Sequence, residues 1–293
     1  MQKWTILKTI QWAASYMESI GIPQPRADAE VLLAHALGLK RTVLYINYDK
    51  LLQPSDLAAF NVLLKRRTDR EPVAYILGKK EFWSMEFLVT PDVLIPRPET
   101  EFLVEATLPL IKNEKNLNIL ELGTGSGAII CALATECPYH NFYAVDCSAA
   151  ALSVARINAQ CLHVDNLITF FHGNWFEPVH HLRHSFNIII SNPPYIKTAE
   201  LTTLAPEILL HEPKLALNAG DDGLDAIRTI LHYAPEYLIR DSAILLEVGS
   251  DQQKEIELLF SELGEYKNFK WIKDYSGHYR VIQCENKKLN RDN

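Results

Sequence analysis

The chain has 293 residues, 48% of them hydrophobic, and a formal net charge of −7. That length and apolar content suit one large or two modest domains with a sizeable core. The acidic balance disfavours a general nucleic-acid binder, whose surface is normally basic, and no apolar run is long enough to span a bilayer. The opening Met1-Gln2-Lys3-Trp4-Thr5 lacks the apolar core and small-residue cleavage site of a signal peptide. Five cysteines without a CxxC pair disfavour both a disulfide framework and a zinc site. They fit free thiols in a reducing cytoplasm.

Residues 1–78 read as helical. Ile6, Ile10, Ala13, Ala14 and Met17 mark one apolar face at helical spacing, ended by Gly21 and Pro23. A second helix over 26–37 turns Leu32, Leu33, Ala36 and Leu37 inward, with His35 as a packing residue. A third starts at Pro54-Ser55-Asp56 and runs to about Arg70. Its basic end (Lys65, Arg66, Arg67, Arg70) suits the negative pole of a helix, or else forms a patch for an acidic partner. Residues 81–95 are rich in strand formers and predict a β-hairpin, with Val93-Leu94-Ile95 resuming the strand after Pro91-Asp92. Residues 96–101 form a rigid turn that opens a helix, with Thr100 or its neighbours as the cap.

From Asn118 strands and helices alternate, which predicts an α/β domain, a doubly wound parallel sheet with helices on both faces. The strands fall at 118–122, 142–146, 167–172, 186–191 and 243–248. Helices fall at 128–135, at 148–160 with Ser148 as cap, over most of 223–239, and at 252–263. An antiparallel pair at 270–275 and 280–284, turned at Ser276-Gly277, ends the sheet. Cys131 and Cys161 sit in helical patterns and read as core.

Between the first strand and its helix lies Gly123-Thr124-Gly125-Ser126-Gly127. Glycines there let the backbone approach a ligand closely. Asp146 ends the next strand, where an acid can accept from both hydroxyls of a ribose. The pair implies a nucleoside-containing cofactor without saying which, and Gly123-x-Gly125-x-x-Ala128 also satisfies a loose dinucleotide pattern. Trp175, after the third strand, can pack on an adenine ring while Asn174 bonds the base; the alternative is a buried aromatic at a strand end.

The fourth strand, Ile188-Ile189-Ile190-Ser191, runs into Asn192-Pro193-Pro194-Tyr195. Its isoleucines suit a central strand, and the prolines end it at its C-terminal edge, where ligands bind in open α/β sheets. The Asn192 side-chain oxygen and the Pro193 carbonyl offer two acceptors for the two N–H bonds of a planar amide. Tyr195 can stack on the flat group that carries it. The plainer alternative is a proline-rich turn after a core strand. An NH2-positioning site beside an adenosine cofactor suits methyl transfer from S-adenosylmethionine. Hydride transfer needs a group that polarises a carbonyl, and no His or Lys is placed to do so.

These motifs together resemble the bacterial peptide-chain-release-factor glutamine N5-methyltransferases across nearly the whole chain. The matching segments are IPRPETE at 95–101, LELGTGSG at 120–127, Ala144-Val145-Asp146, SNPPY at 191–195, EPKLAL at 212–217, DGLD at 222–225 and DYSGHYRV at 274–281. Asn-Pro-Pro-Tyr alone is shared with DNA adenine-N6 methyltransferases, the alternative reading. The resemblance implies a class I S-adenosylmethionine-dependent methyltransferase fold, Rossmann-like, with a seven-stranded, mostly parallel sheet and an antiparallel terminal strand. It implies three parts: a helical substrate-binding domain over 1–78, a β-hairpin linker over 79–97 and a methyltransferase domain over 98–293. The expected substrate is the glutamine of the Gly-Gly-Gln loop of class 1 release factors, in the cytoplasm, with no direct DNA or membrane binding and no metal.

Carried onto this sequence, the resemblance has Glu121, Gly123, Thr124, Gly125, Ser126 and Gly127 cradle the methionine part of the cofactor. Asp146 takes the ribose, and Asn174 and Trp175 the adenine. Asn192, Pro193, Pro194 and Tyr195 hold the target glutamine, with Asn192 also at the cofactor. Asn192, Pro193 and Tyr195 are the catalytic set. Three positions depart from the family pattern: Glu121 stands where an aspartate is commoner, Asn174 where an acid is commoner, and His278 where an asparagine is frequent.

Overall fold

The structure, a computed structural model, describes residues 3–287, so the readings placed on Met1, Gln2 and residues 288–293 lie outside the described residues. Contacts divide the chain into two compact units. One comprises residues up to Lys79 together with Ala205–His211. The other comprises Lys80–Leu204 and the chain from Glu212 onward.

The first unit holds α1 (Ile6–Ser19), α2 (Pro25–Ala36), α3 (Arg41–Ile46), α4 (Pro54–Thr68) and α5 (Val73–Leu77). Thr5 caps α1 by accepting from the Lys8 backbone N–H at 3.3 Å. The apolar faces of α1, α2 and α4 close one core containing Ile6, Ile10, Met17, Leu32, Leu33 and Phe60. The short α3 and α5 escape a reading by periodicity, because one or two turns show no repeating stripe. His35, expected to pack between helices, is exposed instead. The basic end of α4 meets acids rather than only a helix pole. Buried Arg67 donates from Nε to Asp28 Oδ2 at 2.7 Å and from Nη1 to Glu207 Oε1 at 3.0 Å.

The second unit begins at Lys80, within the hairpin of β1 (Lys79–Phe82) and β2 (Met85–Leu88). The strand expected at Val93–Ile95 does not form. Pro91 and Pro96 bracket that segment, and the Ile95 N–H donates to Glu212 Oε2 at 3.3 Å instead of to a ladder. A 3-10 turn, Pro98–Thr100, leads into α6 (Glu101–Ile111). Thr100 takes the N-cap position of α6, as expected, but its side chain makes no capping hydrogen bond. Its hydroxyl faces the end of the sheet, as described below.

The sheet is built from β3 (Asn118–Leu122), α7 (Ala128–Glu136), β4 (Asn141–Asp146), α8 (Ala149–Cys161), β5 (Ile168–His172) and β6 (Phe186–Ser191). Then come α9 (Pro206–His211), which belongs to the first unit, α10 (Asp225–Tyr233), β7 (Leu238–Glu247), α11 (Gln253–Leu263), β8 (Tyr266–Lys273) and β9 (Tyr279–Asn286). Ser148 caps α8, accepting from Ala151 N–H at 3.2 Å. The helix expected to reach residue 239 stops at Tyr233, because Pro235 ends it, and β7 starts five residues before the expected 243.

Strand order is β5-β4-β3-β6-β7-β9-β8. Neighbours from β5 to β7 pair in parallel, and β9 runs antiparallel to both β7 and β8, so it alone opposes the rest. The isoleucines of β6 alternate between two cores. Ile188 and Ile190 join the layer containing α6 and α7, and Ile189 joins the layer containing α10 and α11. Burial on both faces is what the unbroken apolar run requires. Cys131 is buried as expected, but Cys161, at the last turn of α8, is exposed.

Candidate active site at the switch between β3 and β6

β3 lies between β4 and β6. From β3 the chain winds outward through β4 and β5, then returns to the other side of β3 as β6. That reversal is the topological switch point, and a crevice opens at the carboxyl ends of the flanking strands. Here it is a cavity of about 230 Å³, lined wholly by residues of the second unit.

The glycine loop forms its floor. Gly123 and Gly125 have φ of +71° and +54°, a region open to glycine and strained for other residues. A methyl group on Gly125 would meet no atom within 4 Å, so its backbone faces open space. A methyl group on Gly123 would come 4.0 Å from the Trp175 ring. Gly127, at φ +78°, does not line the cavity. It lets α7 pass close to α8, where an added Cβ would lie 3.1 Å from Ala155 Cβ.

Two acids face the loop. Asp146 Oδ2 accepts from Gly125 N–H and Oδ1 from Ser148 N–H, each at 2.8 Å. Burial pushes its pKa up, opposed by those two N–H groups. Glu121, fully buried at the end of β3, has its pKa pushed up to about 8, mainly by burial. The Thr124 hydroxyl donates to its Oε2, while Oε1 is buried with no partner. An orphaned carboxylate oxygen in a cavity wall calls for a cationic or N–H donor group on a ligand.

Of the expected cofactor residues, Glu121, Gly123, Thr124, Gly125, Ser126, Asp146, Asn174, Trp175 and Asn192 line the cavity. Trp175 is half-buried, with φ +44°, and Asn174 is exposed. Pro194 lines it too, whereas Pro193 and Tyr195 do not. Pro193 is buried, and its carbonyl takes no hydrogen bond among the described residues. Tyr195 points its hydroxyl at Glu247 Oε1, 3.4 Å away, rather than laying its ring open to the cavity.

Three further participants have no site role in the reading of the sequence, although Thr100 and Glu212 fall in the matched segments 95–101 and 212–217. Thr100 Oγ1 accepts from Asn192 Nδ2 at 3.1 Å and lines the cavity. Asn158, buried on α8, donates to the Ser126 carbonyl at 2.8 Å, behind the glycine loop. Glu212 is buried and forms an ion pair with Arg97, a cavity-lining arginine. A lone asparagine in a helical segment, such as Asn158, carries no pattern that separates such a role from a surface one.

The set suits S-adenosylmethionine. Its positive charges match the orphaned Glu121 oxygen, its ribose diol matches the Asp146 carboxylate, and its adenine matches the Trp175 ring. Among the described residues no group of three or more His, Cys, Asp or Glu is arranged to hold a metal.

Comparison with known proteins agrees with this chemistry. Residues 8–78 match the PrmC N-terminal domain family and residues 99–223 the methyltransferase small domain family. A release factor glutamine methyltransferase of Geobacter sulfurreducens is 42% identical over 95% of this chain and 96% of its own length. That of Coxiella burnetii is 43% identical over 88% of this chain and 91% of its own. The crystal structure of a methyltransferase from Pyrococcus furiosus superposes with a TM-score of 0.52 at 18% identity, covering 77% of this chain and 98% of that one. The fold is that of the class I S-adenosylmethionine-dependent methyltransferases. On sequence likeness along nearly its whole length, the chain belongs to the release factor glutamine methyltransferase family.

Proposed function

We infer that the chain transfers a methyl group from S-adenosylmethionine to the side-chain amide nitrogen of a glutamine in a peptide chain release factor. The observation that carries this is the convergence, at one switch point, of the Glu121 and Asp146 carboxylates with Asn192, whose Nδ2 is already committed to Thr100. That bond leaves Asn192 Oδ1 as the free acceptor. The Pro193 carbonyl is the second.

Bound S-adenosylmethionine supplies an electrophilic methyl group on a sulfonium centre. Glu121, the loop from Gly123 to Ser126, Asp146, Asn174 and Trp175 would hold it. The target nitrogen is a poor nucleophile, because its lone pair is delocalised into the adjoining carbonyl. Asn192 Oδ1 and the Pro193 carbonyl accept its two N–H bonds, fix its plane and favour the positive charge that grows on nitrogen. Pro194 and Tyr195 shape the loop around it. The surplus proton leaves to water, so no general base is needed.

The finer reading is that the substrate is the Gly-Gly-Gln loop of class 1 release factors in the cytoplasm. In it the helical domain over residues 1–78 helps to bind that protein, and residues 79–97 link it to the methyltransferase domain. The chemistry of Asn192 and Pro193, built for a planar NH2 group, supports an amide target. The net charge of −7 favours a protein over duplex DNA. No helix among the described residues is long and apolar enough to cross a membrane.

Incubation with S-adenosylmethionine labelled in the methyl group, with either a release factor or duplex DNA, tests the reading. Label is expected in the release factor and is lost when its loop glutamine is changed to alanine. Label in DNA that falls steeply with salt would replace this substrate with an adenine base.

A further inference from the structure

Gln252 stands at the N-cap of α11 and is 4% exposed. In the parallel register Leu246 of β7 pairs with Ser191 of β6, so the turn from β7 into α11 lies at the same sheet edge as the Asn192–Tyr195 loop. The Gln252 side-chain amide makes three hydrogen bonds there. Its Nε2 donates to the Tyr195 carbonyl and to the Gly223 carbonyl, each at 3.0 Å. Its Oε1 accepts from Gly249 N–H at 2.9 Å. A flipped amide would set its NH2 against that N–H and its oxygen against two carbonyls, so only one orientation serves.

Two glycines are shaped around this amide. Gly223 has φ +78°, and a Cβ added there would lie 2.8 Å from the Tyr195 carbonyl oxygen and 2.9 Å from Gln252 Nε2. A Cβ added to Gly249 would lie 2.9 Å from Gln252 Oε1. The glycine of the DGLD segment at 222–225 therefore leaves room for the contact between Gln252 and Tyr195.

The loop needs such a hold. Pro193 and Pro194 have no N–H to donate, and each fixes its φ, so displacement of one end of the loop is carried to the other. At the near end the Ser191 hydroxyl donates to the Leu122 carbonyl at 2.7 Å. At the far end the Tyr195 carbonyl is bound by Gln252, while the Pro193 carbonyl takes no hydrogen bond among the described residues.

We propose that Gln252 is a positioning residue for methyl transfer: by holding the Tyr195 carbonyl it fixes the far end of the proline loop, and so sets the spacing of Asn192 Oδ1 and the Pro193 carbonyl against the target amide. This rests on the role assigned to those two acceptors above. It needs no contact between Gln252 and substrate or cofactor, and Gln252 does not line the cavity.

The test measures kcat, KM for the release factor, Kd for S-adenosylmethionine and the thermal unfolding midpoint in Gln252→Met, Gln252→Glu, Gly249→Ala and Asn192→Ala. Gln252→Met fills a similar length without donors. Gln252→Glu keeps the acceptor for Gly249 N–H and loses the NH2. Both are expected to lower kcat roughly 10- to 100-fold, the scale of a misplaced reacting group, with KM and cofactor Kd changed less than about threefold. Gly249→Ala keeps the amide but crowds it, and its kcat should fall between wild type and Gln252→Met. Wild-type kcat in either folded Gln252 variant, with Asn192→Ala inactive, overturns the proposal alone. So does a loss of cofactor affinity as large as the loss of kcat, because Gln252 would then support the whole site and not the loop. If neither Gln252 variant is folded at the assay temperature, Gly249→Ala decides: lowered kcat with unchanged cofactor Kd supports the proposal, and wild-type kcat overturns it. Wild-type turnover in Asn192→Ala overturns the reading of the site beneath it.

Discussion

Asn158 and Ser126 are joined behind the glycine loop: Nδ2 of Asn158 donates to the Ser126 carbonyl at 2.8 Å. The same amide clasps the hairpin, with Oδ1 accepting from Leu88 N–H at 2.7 Å and Nδ2 reaching the Leu88 carbonyl at 3.0 Å. One buried side chain on α8 thus ties β2 to the glycine loop on the floor of the cavity. Asn158→Ala removes three contacts and leaves buried backbone groups unsatisfied, at about 1–3 kcal/mol each where water cannot replace the partner. A stability loss of about 3 kcal/mol is expected in urea titration, with weaker S-adenosylmethionine binding by calorimetry. Unchanged cofactor affinity would separate the loop from this anchor.

Gly127 serves packing rather than ligand contact. Its φ of +78° and the 3.1 Å approach of an added Cβ to Ala155 Cβ leave no room for a side chain. Gly127→Ala is expected to lower stability by about 1–3 kcal/mol, through overpacking and left-handed strain. Thermal unfolding of the variant checks this. Gly125→Ala is the contrast, since its added methyl enters open space on the ligand side. Its main loss should be in cofactor affinity.

Asp146→Ala removes the acceptor for the Gly125 and Ser148 N–H groups as well as the expected ribose contact. Hydrogen bonds to a charged group contribute about 1.5–3 kcal/mol each, so cofactor Kd should rise by roughly two orders of magnitude. Calorimetry gives the Kd, and kcat at saturating S-adenosylmethionine should fall much less.

The buried Glu121 carboxyl makes stability depend on pH. Its pKa rises from an ordinary 4.5 to about 8 in the folded protein. Between those values the folded state holds a proton that the unfolded state has released. Stability contributed by this group is therefore present below the ordinary pKa and is lost as pH rises through about 8. Without cofactor, Glu121→Gln should flatten the fall in melting temperature between about pH 5 and pH 9, and it should also weaken S-adenosylmethionine binding. A pH profile parallel to wild type would exclude Glu121 as its source.

The sheet was legible because β3, β4 and β6 carry what a buried parallel strand demands: short apolar runs ending in Gly123, Asp146 and Pro193. The glycine loop and Asn192 were legible for the same reason, since strand ends and special backbone positions leave marks in sequence. Thr100, Asn158 and Gln252 were not. Each acts through a partner distant along the chain, and its local pattern suggests something else: a helix cap, a surface amide, a helix start. An aromatic after Asn-Pro-Pro suggests a stacking surface, whereas the Tyr195 hydroxyl turns to the buried Glu247 carboxyl. Val93-Leu94-Ile95 has strand composition, but Pro91 and Pro96 deny it a ladder and the hairpin ends before it.

The helical unit also takes in Ala205–His211, where Glu207 meets Arg67 and Arg70 at 3.0 and 3.4 Å. The polypeptide therefore passes between the two units three times, near residues 79, 204 and 211, and not once. Such units are not beads on a string. A graft that exchanges residues 1–79 with those of a relative leaves behind the acid that buried Arg67 requires, so the segment from 205 to 211 has to travel with it. The same four side chains, Asp28, Arg67, Arg70 and Glu207, make one connected set of ion pairs although 179 positions separate the first from the last.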